Sequence, residues 1–291
     1  MDANNFISVI SVNYNGYYDT CNFIDSWTTV ISSFRYEIII IDNGSEINES
    51  ILIKNRYPNI ITYRSEKNLG FAGANNIGIK LAKGNILFFL NNDTLIINDT
   101  LPQFLKKLNY NKVAGISPII LNQDKDFSIQ FAGYTELSEI TLRNKALTNF
   151  KDDNRSIKTA FLHGAAMAFK REAIENVGIM NEDYFLYYEE FDWCEKFKKK
   201  GYEIYVEPSF KIVHKNSGTI GLNSPIKAYY LTRNRLLFAY NNRSKYKLFF
   251  IILYHLSIAY PYNLIRTLVY GKKEIAKAEI RGIIDYFKIT I

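Results

Sequence analysis

Cysteine is scarce: two in 291 residues, Cys21 and Cys194. Two cysteines cannot build a disulfide framework, and without a CxxC pair they do not point to zinc. Both read as small buried hydrophobes, and a reducing compartment is the default for such a chain. Histidine is limited to three residues, His163, His214 and His255. The N-terminal stretch MDANNFISVISVNYNG carries an acid and no basic n-region, so it does not read as a signal peptide. The longest apolar run, Leu248 to Tyr260, is interrupted by His255 and followed by Pro261. On that reading it is shorter than the about 20 residues of an ordinary transmembrane helix. No GxGxxG fingerprint is present, which disfavours a NAD site. No internal repeat or low-complexity tract is visible.

What the chain has in quantity is apolar and aromatic: 47% hydrophobic and 15% aromatic residues. That composition excludes disorder, whose signature is low hydrophobicity. The length fits one large globular domain, or one with a smaller appendage. The 36 Lys and Arg exceed the 29 Asp and Glu, giving a formal charge of +7. The basic residues are scattered rather than clustered, so nucleic acid is not an expected partner.

Apolar periodicity predicts alternating strands and helices. Phe6 to Val12 reads as a strand ending at NYNG. Tyr17 to Ile31 reads as a helix with Cys21, Ile24, Trp27 and Ile31 on one face. The strand YEIIIIDNGS, a short helix over Ile51 to Tyr57 and a strand over Ile60 to Tyr63 follow. NLGFAGANNIGIKLAKG reads as a small-residue helix closed by Gly84, and Asn85 to Leu90 as a fourth strand. Strands that are apolar throughout are covered on both faces, which predicts an α/β layer with a mainly parallel sheet. From Val113 to Lys158 the pattern weakens to an irregular, partly β segment. A strand and helix over FLHGAAMAFKREAIENVG, a helix in YYEEFDWCEKF, a strand ending at His214 and an all-helical region beyond Pro225 complete the reading. Ligands bind beyond the carboxyl ends of strands in such sheets, and NYNG, DNGS and NNDT sit at three of these ends.

Several places carry candidate chemistry. Asp93, beside Asn91 and Thr94, is either a turn residue or an oxygen ligand to Mg²⁺ or Mn²⁺. His214 closes an apolar strand and is either a hydrogen-bonded structural residue or a further metal ligand. His163 reads as structural or as cleft wall, and His255 as structural. In YYEEFDWCEKF, Glu190 shares a helical stripe with Tyr187, Cys194 and Phe197. A carboxylate on an apolar face is paired or has a raised pKa, both of which suit a general base. Glu189 and Asp192 fall on another face, where a solvated acidic helix N-terminus accounts for them. Asp42 either caps a turn or accepts from a nucleobase N–H or a ribose hydroxyl. Arg233 in TRNR either reaches a diphosphate or an acceptor, or is a surface helix cation.

The segments VISVNYNG, IIIIDNGS, NLGFAGANNIGIKLAKGNILFFLNNDT, FLHGAAMAFKREAIENVG, DYFLYYEEFDWCEKFKKKGY and YLTRNRLLF occur in this order from Phe6 to about Phe238. Together they resemble the family 2 glycosyltransferases of GT-A fold, in particular the bacterial rhamnosyltransferase-like members of surface polysaccharide synthesis, such as O-antigen and capsule. The resemblance implies an inverting, metal-dependent transferase that moves a sugar from a nucleotide-diphosphate sugar, dTDP-rhamnose or a UDP-sugar, to a glycan or lipid-linked glycan acceptor. It implies Asp42 at the donor base, and Asn68, Asn91 and Asn92 on the donor side together with Asn13 and Arg233. Asn91 and Asp93 match the ends of the DxD metal motif, written here N-N-D, so the site has one acid fewer. Glu190 matches the second acid of the family's ED pair, the catalytic base, and replaces the commoner Asp. His214 matches a histidine that completes the metal site, while His163, Glu189 and Asp192 are placed at the acceptor cleft. The implied cofactor is Mn²⁺ or Mg²⁺.

The expected organisation is a catalytic domain over 1–240, with a nucleotide-sugar half to about 112 and an acceptor half beyond it. A helical extension follows over 241–291, associated with a membrane or a homodimer. The expected setting is the cytoplasm, with peripheral contact to the inner face of the cell membrane. Two other functions compete. A sugar nucleotidyltransferase favours a basic Gly-rich loop after the first strand, and NYNGYYDT has no Lys or Arg. A non-catalytic sugar-nucleotide or polysaccharide-binding module has no need of Asp93, Glu190 and His214 together.

Overall fold

The computed structural model describes residues 6–32, 34–149, 155–215 and 224–290. The Ser-Gly-Thr loop expected after His214 lies outside them. In chain order the first elements are β1 (Phe6–Asn13), α1 (Tyr17–Val30), β2 (Arg35–Asp42), α2 (Glu49–Arg56), β3 (Ile61–Arg64), α3 (Gly70–Leu81), β4 (Ile86–Leu90), β5 (Thr94–Ile96) and α4 (Leu101–Lys106). There follow β6 (Val113–Asn122), β7 (Ile129–Phe131), β8 (Ile157–Lys158), β9 (Ala166–Lys170), α5 (Arg171–Val177), α6 (Glu189–Lys199) and β10 (Glu203–His214). The chain closes with α7 (Pro225–Asn242), α8 (Lys245–Tyr254), a π-helical turn at His255–Ala259, α9 (Tyr260–Val269) and α10 (Lys273–Thr290).

The ten strands among the described residues form one sheet whose main order is β3-β2-β1-β4-β9-β6-β10-β5. Alternate side chains enter two cores on its opposite faces. Ile39, Ile41, Leu87 and Phe89 pack with Phe169, Trp193 and Phe197 on one side. Ile38, Ile40, Phe88 and Leu90 pack with Trp27, Phe104 and Phe210 on the other. Burial of both faces explains why these strands are apolar at every position.

The expected parallel pairing holds from β3 through β4. Past β4 the sheet is mixed: β9 is antiparallel to both β4 and β6, while β10 runs parallel to β6 and antiparallel to β5. The region read as irregular contains β6, a ten-residue strand buried along nearly its whole length. Pro118 and Gly115 within it break the β-branched pattern that marks a strand. The small-residue helix ends at Leu81, not Gly84. Gly84 instead lets the backbone approach β1, where a Cβ would lie 2.5 Å from the Ser8 amide.

Pro261 does not end the apolar run. The helix continues from Lys245 to Val269 and, by length and composition, is long enough to cross a membrane. The wider π turn at His255–Ala259 lies where a proline would otherwise clash with the carbonyl four residues before it. α7 packs against α6, α8 and α10, which joins the C-terminal helices to the sheet-bearing body.

Candidate active site

The carboxyl ends of β1, β2 and β4 lie side by side because the three strands are parallel and adjacent. Asn13 at the first end is fully buried. Its amide donates to Glu49 Oε2 at 2.7 Å, and its Oδ1 accepts from the Thr20 hydroxyl at 2.7 Å. It therefore braces the loop from within the protein. Asp42, also buried, caps the next turn: Oδ1 accepts from the Ser45 amide at 3.0 Å and Oδ2 from the Ser50 amide at 3.2 Å. Arg64 adds a charge 3.7 Å from Oδ2. Of the two readings of Asp42, the cap is the one these bonds satisfy.

The cleft-facing side chain at this strand end is Asn43, which sequence reasoning passed over. It donates to Asn68 Oδ1 at 3.0 Å and to the Gly70 carbonyl at 3.2 Å. Asn68, Asn91 and Asn92 line the same cleft. Asn92 donates to the Thr20 hydroxyl at 3.0 Å, which fixes its amide over α1. A sequence signal for Asn43 did exist, since it stands in the same DNGS cluster one residue beyond Asp42.

Asp93 and His214 are brought together by the antiparallel pairing of β5 with the end of β10, in which Thr94 faces His214. His214 Nε2 lies 3.0 Å from Asp93 Oδ1. The other ring nitrogen, Nδ1, lies 3.1 Å from Gln130 Oε1 on β7. Gln130 Oε1 and Asp93 Oδ1 thus lie against the two ring nitrogens and fix the orientation of the imidazole. His163, whose ring centroid is 6.2 Å from that of His214, has its pKa pushed down to about 3, first by burial and then by His214. Its Nδ1 accepts from the Ala165 amide at 3.1 Å, so the neutral ring carries its proton on Nε2.

Among the described residues no group of three or more His, Cys, Asp or Glu side chains surrounds one point. A carboxylate and an imidazole side by side nevertheless fit a hard divalent cation that takes its remaining ligands from phosphate oxygens and water. Asp93 and His214 are the residues that would hold it.

The acids of α6 depart from expectation. Glu189 and Asp192 are buried, at 4% and 1% exposure, rather than solvated. Asp192 accepts from Asn242 at 2.6 Å and pairs with Lys196 at 3.0 Å, so it fastens α6 to α7 and lies in the core. Burial, followed by repulsion from Glu190, holds the Glu189 carboxyl well above the usual carboxylate range. Burial alone raises Glu190 to about 7, outweighing its backbone hydrogen bond. The helix N-terminus favours the anion, yet desolvation wins. A Cβ on Gly164, next to His163, would lie 4.0 Å from Glu190 Cδ and 3.6 Å from Phe71 of the cleft wall. The base candidate and the Asp93–His214 pair thus flank the same His163–Gly164 segment.

The TRNR segment of α7 is neither a surface feature nor part of the cleft lining. Arg233 is 8% exposed and donates to the Asp183 carbonyl at 2.6 Å. Asn234 donates to the Leu186 and Tyr187 carbonyls at 2.8 and 2.9 Å, and Arg235 to the Tyr188 hydroxyl at 3.0 Å. Three consecutive side chains thereby grip the loop before α6. That loop contains Tyr187 and Tyr188 at φ +68° and +76°, a left-handed kink rare for aromatic residues.

The cleft has a volume of about 910 Å³, within the range of small-molecule sites. One wall carries Asn43, Asn68, Asn91 and Asn92; the other comes from α7 and α10, including Tyr229, Lys277 and Arg281. The C-terminal helices therefore help to enclose the site.

A sequence model of Glycosyl transferase family 2 matches residues 8–178, more than half of the chain. The chain belongs to glycosyl transferase family 2. It is similar to the dTDP-rhamnosyl transferase RfbF of Shigella flexneri, with 30% identity over 194 residues, 60% of this chain and 62% of the relative. It is also 25% identical to the low-salt glycan biosynthesis hexosyltransferase Agl10 of Haloferax volcanii, over 68% of this chain and 63% of that one. The match thus spans less than two-thirds of either relative's length. Two solved structures share the fold: GalNAc-T7 with UDP, GalNAc and Mn²⁺ (TM-score 0.65, 16% identity, 88% of this chain and 58% of that one), and the mannosyltransferase PcManGT of Pyrobaculum calidifontis with GDP-Man and Mn²⁺ (TM-score 0.62, 17% identity, 98% and 88%). The family 2 glycosyltransferase described here accordingly has a GT-A fold, with a helical C-terminal region.

Proposed function

We propose that the protein is an inverting glycosyltransferase that moves a sugar from a nucleotide-diphosphate sugar to a hydroxyl of a glycan or lipid-linked acceptor in surface polysaccharide synthesis. The donor is dTDP-rhamnose, following the similarity to RfbF, with UDP-sugars as the next choice. One observation carries the reading: the Asp93–His214 pair and the carboxyl of Glu190, raised to about 7, flank the same short segment beside a cleft at the strand ends.

The asparagines at the ends of β2 and β4, with Asn68, receive the nucleotide end of the donor. Asp93 and His214 would hold a divalent ion, which would supply neutralisation of the charge that develops on the diphosphate. Glu190 accepts the proton of the acceptor hydroxyl as its oxygen forms a bond to the anomeric carbon. The bond to the diphosphate breaks on the opposite face, so a single displacement inverts that carbon. No covalent intermediate is required. Cys194, one turn beyond Glu190, is buried with its thiol pushed up to about 12, and it serves packing.

The test is a thermal-shift screen of dTDP-rhamnose, UDP-hexoses, UDP-N-acetylhexosamines and GDP-sugars, with and without Mn²⁺. A true donor raises the melting temperature by linkage, and the rise is larger with Mn²⁺. No stabilisation by any nucleotide sugar contradicts the reading.

A further inference from the structure

The two halves of the long C-terminal helix present one largely apolar face to solvent, with Ser257 between them. In α8 that face carries Tyr246, Phe249 and Leu253; in α9 it carries Tyr262, Ile265 and Val269, with exposures of 51–77%: Tyr246 at 74% and Val269 at 77% mark the two ends. In an unbroken α-helix these two sets would point in different directions. The π turn between them holds one extra residue, which rotates α9 back by about 100°. With that rotation both exposed sets fall on one side, and Ile251, His255, Tyr260 and Thr267, all buried, fall on the other.

The buried side is fastened to the body. The Tyr260 hydroxyl donates to the Thr232 carbonyl at 3.0 Å, and α9 packs on α10. Crossing a bilayer would tear these contacts away, so the helix is built to lie along a surface with its outer face covered. A largely apolar strip of this length is larger than isolated exposed residues explain.

Charge identifies what covers it. Between Ser244 and Glu274 the sequence has five Lys or Arg (Lys245, Lys247, Arg266, Lys272, Lys273) and no Asp or Glu. Of these, Lys247 reaches Glu139 at 2.9 Å. A second copy docked on this face would bring the same cations against one another, which opposes association. An anionic lipid surface offers complementary charge to the rim and acyl chains to the strip, and tyrosines at both ends suit the headgroup region. We propose that the Lys245–Val269 helix lies in the interfacial plane of an anionic membrane and holds the cleft walled by the neighbouring α10 at the lipid surface.

The test is vesicle co-sedimentation of the full chain. Vesicles of phosphatidylcholine alone are compared with an equimolar mixture of phosphatidylglycerol and phosphatidylcholine. The proposal expects binding to the mixed vesicles, weakened by at least about tenfold in the double variant Phe249→Glu, Ile265→Glu and weakened by salt. Both positions are exposed, so the variant should keep the wild-type melting temperature, which is measured alongside. Failure to bind the mixed vesicles overturns the proposal, as does equal binding by the double variant. A concentration-dependent dimer in light scattering that the same variant dissolves, without vesicle binding, assigns the face to a second copy instead.

Discussion

The Asn234 amide donates to the Tyr187 carbonyl at 2.9 Å, and this bond joins α7 to the left-handed pair that precedes the acids of α6. Its second donation, to the Leu186 carbonyl, completes a clamp on the kink. Replacing Asn234 by Leu leaves two carbonyls without this donor, a cost of about 2–4 kcal/mol. We expect a melting temperature lower by several degrees and a kcat reduced by more than about tenfold, because the approach of Glu190 depends on the kink. Donor binding, measured by calorimetry with the nucleoside diphosphate, should be nearly unchanged. Loss of donor binding with kcat intact would show that the clamp serves another part of the site.

The same clamp shows where sequence reasoning stopped. Strand ends and the alternation of β1 to β4 were legible, because apolar runs ending in Asn and Asp mark strand termini facing a cleft; that Asp93 and His214 belong together was implied only by the family resemblance. The role of TRNR was not. Arg233 looks solvent-facing by type, and only the fold reveals that backbone carbonyls at 183, 186 and 187 need donors. Burial of Glu189 and Asp192 was hidden for a related reason. The partner of Asp192 comes from α7, 50 residues later, and no local periodicity reports that contact. The length of the α8–α9 helix was misread because a π turn that accommodates Pro261 leaves no mark in the apolar pattern.

Gln130 offers a second test, since its Oε1 lies 3.1 Å from His214 Nδ1. Removing a partner that orients a metal-ligating histidine costs about 10–100-fold in metal affinity. Gln130→Leu should weaken Mn²⁺ binding by that factor in calorimetry performed with the nucleoside diphosphate present. Asp93→Asn should weaken it at least as much. Unchanged Mn²⁺ affinity in both variants would remove the pair from the metal site.

Acidity gives a third expectation. Glu190 must be ionised to accept a proton, and burial raises it to about 7. The kcat/KM should therefore rise with pH through about 7, whereas an unperturbed Glu would be saturated by pH 6. The stability effect has the opposite direction. Because the folded-state pKa is raised, the folded chain holds the proton longer than the unfolded chain does. Stability from this group is present below the unfolded Glu value near 4.3 and declines as pH climbs to about 7. Glu190→Gln should flatten that decline in denaturant titrations across this window. A decline of equal slope in the variant would assign it to other groups, Glu189 first.

Gly70 tests the architecture around the donor wall. It adopts φ +73°, and a Cβ there would lie 2.2 Å from the Phe185 carbonyl oxygen. Gly70→Ala should destabilise the fold by more than about 2 kcal/mol, through both backbone strain and overlap. It should also detach the start of α3 from the loop before α6, lowering donor affinity. A variant with wild-type melting temperature and donor affinity would mean that this contact opens freely.

The central claim is that Glu190 is the base of a sugar transfer from a nucleotide donor. The most direct measurement is nucleoside diphosphate release by wild type and Glu190→Gln, on the donor that the thermal screen selects, with acceptor and Mn²⁺ present and donor affinity measured in parallel. The account predicts a loss of about 10²–10⁴-fold in kcat with the dissociation constant for the nucleoside diphosphate unchanged. Turnover by Glu190→Gln near the wild-type rate would contradict it.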